Sequence, residues 1–116
     1  MVNVHHLNNL IWVWNQNGPP PVGEFFSFFP GHRFVDVVSY DNYRDLSDRY
    51  YYELLDLAEG KPIALGEVGH PPSAEVLKAQ PKWVWFMVWG GMVNEGIKTA
   101  YSDPYAINRG DEGPKK

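Results

Sequence analysis

At 116 residues the chain holds one domain at most, yet it is long enough to remove roughly two thirds of its unfolded surface from water. Its 44% hydrophobic and 21% charged residues are ordinary for a globular protein. A net charge of −4, with no Lys/Arg cluster before Lys115-Lys116, argues against a nucleic-acid partner; the lack of cysteine excludes a disulfide framework and a thiolate metal site; and the longest apolar run, around Val84 to Val88, is too short to span a bilayer, so no membrane partner is expected.

Taken in chain order, the N-terminus Met1-Val2-Asn3-Val4-His5-His6 lacks a basic n-region and an apolar h-region, so no signal peptide is expected. Leu10-Ile11-Trp12-Val13-Trp14 is the first strand-like run. Asn15 to Pro30 reads as a loop, because Gly18-Pro19-Pro20-Pro21 forbids regular helix or strand. Phe34 to Tyr40 is a second strand. Asp45 to Glu59 predicts a helix with Tyr51, Leu54, Leu55 and Ala58 on one face and Gly60 as its stop. Pro62 to Gly66 is a third strand, Ser73 to Ala79 a short helix capped by Ser73 with Val76 and Leu77 inward, and Val84 to Trp89 a fourth strand. Asn94 to Tyr101 is a last helix, and Gly110 to Lys116 a disordered tail.

The runs are continuous rather than alternating, which suits strands buried on both faces. Strands alternating with helices give an α/β fold with a parallel sheet. A small doubly wound sheet and part of a (β/α)₈ barrel both fit. A whole barrel takes about 250 residues, so this chain could form only about half of one.

In both architectures ligands collect at the C-terminal ends of the strands. There the sequence offers Asn15, then Asp41-Asn42-Tyr43, then Glu67-Val68-Gly69-His70, then Trp89. Polar tips on a rigid apolar base are what a site needs. Glu67 is the sharpest position: a carboxylate at the mouth of a buried strand can act as nucleophile or acid/base on a glycosidic carbon, or simply cap a helix or pair with a rim arginine. Asp41 could instead be a turn residue bonding its own backbone. Trp89 serves equally as sugar platform or core filler. The aromatic share, 16% with five Trp and seven Tyr, fits both uses. No histidine has metal-ligand spacing, so no metal is expected. There is no Gly-x-Ser-x-Gly elbow, phosphate loop or Gly-x-Gly-x-x-Gly, and no cofactor is expected.

Four segments resemble glycoside hydrolase family 26, a family of endo-β-1,4-mannanases. They are Leu7 to Asn15, Phe29 to Tyr43, Lys61 to Gly69 and Trp83 to Trp89, similar to that family's fifth to eighth strands; the ending Tyr101 to Arg109 fits as well. The resemblance implies that residues 1–109 form the C-terminal half of a (β/α)₈ catalytic barrel. It implies Glu67 as nucleophile, Tyr43 as the phenol that bonds and aims it, Asp41 near the bound sugar, Trp89 in the sugar subsite and Trp14 lining the cleft. It also implies β-mannan or a related polysaccharide as partner, and export from the cell as the family's habit.

In the family the acid/base glutamate lies on the fourth strand. The chain therefore reads as a portion inactive alone, unless Glu24, Glu53, Glu75 or Glu95 stands opposite Glu67. A half barrel would leave two strand edges and one sheet face open. That implies a partner, either an N-terminal half-barrel or a second copy of the chain, unless the strands close differently with a helix covering the face. The alternatives are a carbohydrate-binding or remnant α/β module without catalysis, with exposed Trp14 and Trp89 and no carboxylate pair, and a domain unrelated to sugars, with Glu67 salt-bridged and its Trp rings buried.

Overall fold

The computed structural model describes residues 7–18, 25–108 and 110–111. The expectations for Met1 to His6, Pro19 to Pro21, Glu24, Arg109 and most of the tail (112–116) lie outside the described residues. Four strands, β1 (Val13–Gln16), β2 (Val37–Asn42), β3 (Ile63–Val68) and β4 (Trp83–Phe86), form one sheet in the order β1-β2-β3-β4. Every neighbouring pair is parallel. Three helices, α1 (Asp48–Ala58), α2 (Ala74–Ala79) and α3 (Glu95–Ser102), follow β2, β3 and β4. Short 3-10 turns occupy Phe25–Phe28, His32–Phe34 and Gly90–Met92. The expected α/β order is therefore present.

Two strand boundaries differ from expectation. β1 starts at Val13, not Leu10, because pairing with Val37 to Tyr40 decides where the ladder runs. Leu10, Ile11 and Trp12 are exposed, and Trp12 is held by Asp36 instead: the Trp12 amide donates to Asp36 Oδ2 at 2.8 Å and the Asp36 amide donates to Trp12 O at 2.7 Å. β1 can take the polar pair Asn15-Gln16 because it is an edge strand with an exposed face. At the far edge β4 ends at Phe86, although the Val68 amide still donates to Met87 O at 2.8 Å. The expected loop from Asn15 to Pro30 thus opens with the end of β1 and closes with a 3-10 turn.

Helix α1 begins later than Asp45 because Ser47 caps it, its side chain accepting from the Arg49 amide at 3.3 Å. It stops where Glu59 enters the left-handed region at φ 47°, followed by Gly60 at φ 89°. Its buried face is Tyr51, Leu54, Leu57 and Ala58; Leu57 takes the inward place expected of Leu55, which is half-buried. Ser73 caps α2 as expected, accepting from the Val76 amide at 3.3 Å.

Strand alternation sends Val38, Tyr40, Ile63 and Leu65 to one face of the sheet, where α1 covers them with Leu54, Leu57 and Ala58. Phe25 and Val35 close this core from the loop side, and Trp14, Trp83 and Phe86 pack on its margin. Gln80 ties the layers together: it accepts from Trp83 Nε1 at 2.7 Å and donates to Asp48 Oδ1 at 2.8 Å. At the opening of β3 the Lys61 ammonium donates to the carbonyls of His32, at 2.6 Å, and Val35. The other sheet face is different. There the edge-strand residues Val13, Val84 and Trp85 are exposed, while the central Val37, Ser39 and Ala64 are buried.

Leu54 is fully buried and Leu55 is not, so truncation should separate them. Leu54→Ala is expected to cost about 2–5 kcal/mol, and Leu55→Ala about 1 kcal/mol, read as shifts in the midpoint of urea unfolding. Equal costs would contradict the helix face described.

Candidate active site

The C-terminal ends of β1, β2 and β3 converge on one cluster. Glu67 is the fifth residue of β3, not the residue after it. By strict alternation it would share the face of Leu65 and point into the core. The pairing with β2 prevents this. Tyr40 pairs with Leu65 and Asp41 with Glu67, so Gly66 is an extra residue on the β3 side. Such an irregularity re-aims the side chains beyond it. Glu67 thereby joins Asp41 and Tyr43, while Val68 returns to the core, fully buried.

Two glycines make the cluster fit. A Cβ at Gly66 would lie 2.1 Å from Asn15 Oδ1 and 3.0 Å from Asp41 Oδ1. A Cβ at Gly69 would lie 3.0 Å from Tyr43 Cδ1 and 3.1 Å from Tyr43 Cα. Both are closer than ordinary packing tolerates, so Gly66-Glu67-Val68-Gly69 admits β1 and β2 side chains on either side of Glu67.

Tyr43 OH donates to Glu67 Oε2 at 2.5 Å. Hydrogen bonds from Tyr43 and then Trp89 hold the Glu67 carboxyl below the usual glutamate range, outweighing its partial loss of solvent. The same bond, followed by partial burial, pushes the Tyr43 phenol up. Asp41 behaves in the opposite way to Glu67. It lies within β2, only 6% exposed, and burial raises its carboxyl above the usual range against the lowering effect of Asn15; the Glu67 charge raises it further. Asn15 Nδ2 donates to Asp41 Oδ1 at 2.7 Å, so Asp41 is not a turn residue bonding its own backbone. Ser39 Oγ donates to Asn15 Oδ1 at 2.6 Å.

Of the five expected site residues, Glu67, Tyr43, Asp41 and Trp89 come together. Trp89 is 51% exposed, which suits a platform and not a core filler. Trp14 is the correction. It pairs in register with Val38 on the core face, and its ring meets Phe29 edge-on at 5.3 Å. Its neighbour Asn15 holds the place on the cleft side, since consecutive strand residues face opposite ways. Asn15 and Ser39 were not singled out as site residues; the available signal was a polar residue ending one apolar run and another interrupting Val37-Val38-Ser39-Tyr40.

The other glutamates named as stand-ins sit on helices: Glu53 beside Arg49 at 3.2 Å, Glu95 beside Lys98 at 2.7 Å, and Glu75 in the first turn of α2. Glu67 itself forms no ion pair among the described residues. Nor do the described residues hold any group of three or more His, Asp or Glu placed for a metal ion. A carboxylate kept charged, aimed by a phenol and flanked by an exposed indole can attack an electron-poor carbon.

Two substitutions probe this geometry. Tyr43→Phe removes the donor that favours the charged form, so the Glu67 pKa should rise toward the ordinary value, followed by carboxyl-carbon NMR titration. Because Glu67 is depressed in the folded chain, its contribution to stability is present above the ordinary glutamate pKa and is lost as pH falls through its folded value; Tyr43→Phe should move that loss to higher pH. Gly66→Ala should displace the Asn15 amide and cost about 1–3 kcal/mol, measured by urea unfolding. An unchanged midpoint would show that the site has slack there.

Comparison with known proteins gives the family and the fold. The sequence pattern of glycosyl hydrolase family 26 matches residues 1–111. A mannan endo-1,4-β-mannosidase of Thermothelomyces thermophilus is 37% identical over 92% of this chain, which spans 23% of that protein. A second one, from Bacillus subtilis, is 30% identical over 96% of the chain, spanning 34% of its length. Among solved structures, GH26A of Muricauda sp. MAR_2010_75 superposes with a TM-score of 0.82 at 47% identity, over 91% of this chain and 38% of that one. A Bacillus subtilis mannanase superposes with a TM-score of 0.76 at 29% identity, over 99% and 38%. The chain thus spans about a quarter to two fifths of the relatives it matches, and its four parallel strands are part of their (β/α)₈ barrel. With its sequence pattern matched over residues 1–111, the chain belongs to glycosyl hydrolase family 26.

Proposed function

We propose that this chain carries the nucleophile side of a retaining endo-β-1,4-mannanase site. The observation that supports it most is the Tyr43 to Glu67 hydrogen bond at the end of β3, with Glu67 held charged. In this reading Glu67 attacks the anomeric carbon of a mannosyl unit and forms a covalent glycosyl-enzyme, which water then hydrolyses. Tyr43 aims the attacking oxygen. Asp41 accepts a hydrogen bond from a hydroxyl of the bound sugar, and Trp89 offers its exposed face to a sugar ring. Trp14 supports the strand end from the core side.

The reaction needs a second carboxyl about 5–5.5 Å from the first, to protonate the leaving oxygen. Asp41 is unsuited to that task, being bound to Asn15 and nearly buried. The acid is supplied by the rest of the barrel, whose strands pair with the edges of β1 and β4 and cover Val13, Val84 and Trp85. The relatives' greater length supports this partner. Without the acid, catalysis falls by about 10²–10⁴-fold, and loss of half the cleft lowers it further.

Reducing-sugar release from soluble β-mannan tests the proposal. The described chain by itself should release almost nothing. Joined to the remaining barrel strands of a family relative it should hydrolyse mannan, and Glu67→Ala should abolish that release in a barrel that still unfolds cooperatively in urea. Equal release with and without Glu67 would sink the nucleophile assignment. Mannan binding without hydrolysis in the completed barrel would favour the non-catalytic module.

A further inference from the structure

We propose that Asn15 is a positioning residue of this site, clamped between Ser39 and Asp41 so that it fixes the Asp41 carboxylate beside Glu67. The inference rests on the reading of Glu67 as nucleophile and deepens it.

The clamp has a direction. Ser39 is fully buried, and its hydroxyl has one proton to give. It gives it to Asn15 Oδ1 at 2.6 Å; the Trp14 carbonyl at 3.2 Å is the longer alternative. With its oxygen committed, the Asn15 amide must turn its NH₂ the other way, and there it donates to Asp41 Oδ1 at 2.7 Å. Ser39 therefore sets which way Asn15 faces, and Asn15 sets the Asp41 carboxylate, leaving Oδ2 for a substrate hydroxyl.

Only a side chain with an acceptor and a donor on one planar group can stand between a hydroxyl and a carboxylate in this way. Aspartate has no proton to offer, and leucine of similar size offers neither function. Space for the amide comes from Gly66, whose absent Cβ would collide with Asn15 Oδ1. The same residue is the one inserted between the Leu65 and Glu67 pairings. Asp41 and Glu67 are partners across β2 and β3, so a turn of the Asp41 carboxylate changes the field at the attacking oxygen directly. Tyr43, bonded to Glu67, is a third ionisable group facing the pair.

The test follows the Asp41 and Glu67 carboxyl carbons by NMR titration in this chain, for the parent, Asn15→Ala, Asn15→Asp and Ser39→Ala. Asn15 lies on an exposed edge strand and Asn15→Asp keeps its shape, so a folded variant is available. Losing the donor should raise the Asp41 midpoint in Asn15→Ala and raise it more in Asn15→Asp, where like charges meet. Ser39→Ala should shift it the same way by less, because the amide is then free to flip. The Glu67 midpoint should move far less than that of Asp41. In the completed barrel, Asn15→Ala should lower kcat by about 10–10²-fold, as a misplaced group does, with a smaller change in KM. An Asp41 midpoint that stays put in both Asn15 variants overturns the clamp, whatever the activity. Full hydrolysis by Glu67→Ala would overturn the nucleophile reading instead, while the Asp41 titration would still decide the role of Asn15.

Discussion

A single extra residue in β3 decides what this sheet can do. Parallel strands impose a period of two, and that period would bury Glu67 beside Leu65 under helix α1. A lone carboxylate there would have to surrender its charge, since burying an unpaired ion costs far more than one side chain's packing returns. The insertion of Gly66 between the Tyr40–Leu65 and Asp41–Glu67 pairings turns the chain by one position. Leu65 stays in the core, Glu67 comes out to Asp41 and Tyr43, and Val68 goes back in. Glycine suits this position because the space a side chain would need is filled by Asn15 and Asp41.

Around that turn the two carboxylates have been given different surroundings. Glu67 stands where two donors reach it, and its charged form is favoured. Asp41 stands where water is scarce and one donor reaches it, and its charged form is disfavoured. Neighbouring like charges at a strand end would otherwise compete for the same proton. The asymmetry resolves the competition in favour of an ionised Glu67: burial of Asp41 outweighs its bond from Asn15, while Tyr43, just past β2, and Trp89 donate to Glu67.

Much of this was legible in the sequence. Continuous apolar runs separated by helical spacing gave four parallel strands, and the family resemblance placed Glu67, Tyr43, Asp41 and Trp89 at their ends. Three things were not legible. The start of β1 depends on which residues pair with Val37 to Tyr40, and hydrophobicity favoured Leu10 to Trp12 instead. The inward place of Leu57 rather than Leu55 depends on how α1 is rotated against Val38 and Leu65, a tertiary choice that spacing alone leaves between neighbours. The side of β1 that faces the cleft depends on the register with β2, so the conspicuous Trp14 was favoured over the plain Asn15. Local composition reports which residues can be buried; it does not report which neighbour they meet.

The order of strands in the sheet is also their order along the chain. Each strand therefore finds its pairing edge already made by the segment before it, and none has to thread between two others. Each pairing closes the crossover that precedes it, and the entropic cost of that closure grows only slowly with its length. Such a sheet can grow in one direction along the chain, each newest strand presenting the edge to which the next one pairs. Asn15, Asp41, Tyr43 and Glu67 lie on or next to β1, β2 and β3, so this part of the strand end can be assembled before Trp89, beyond β4, adds its indole.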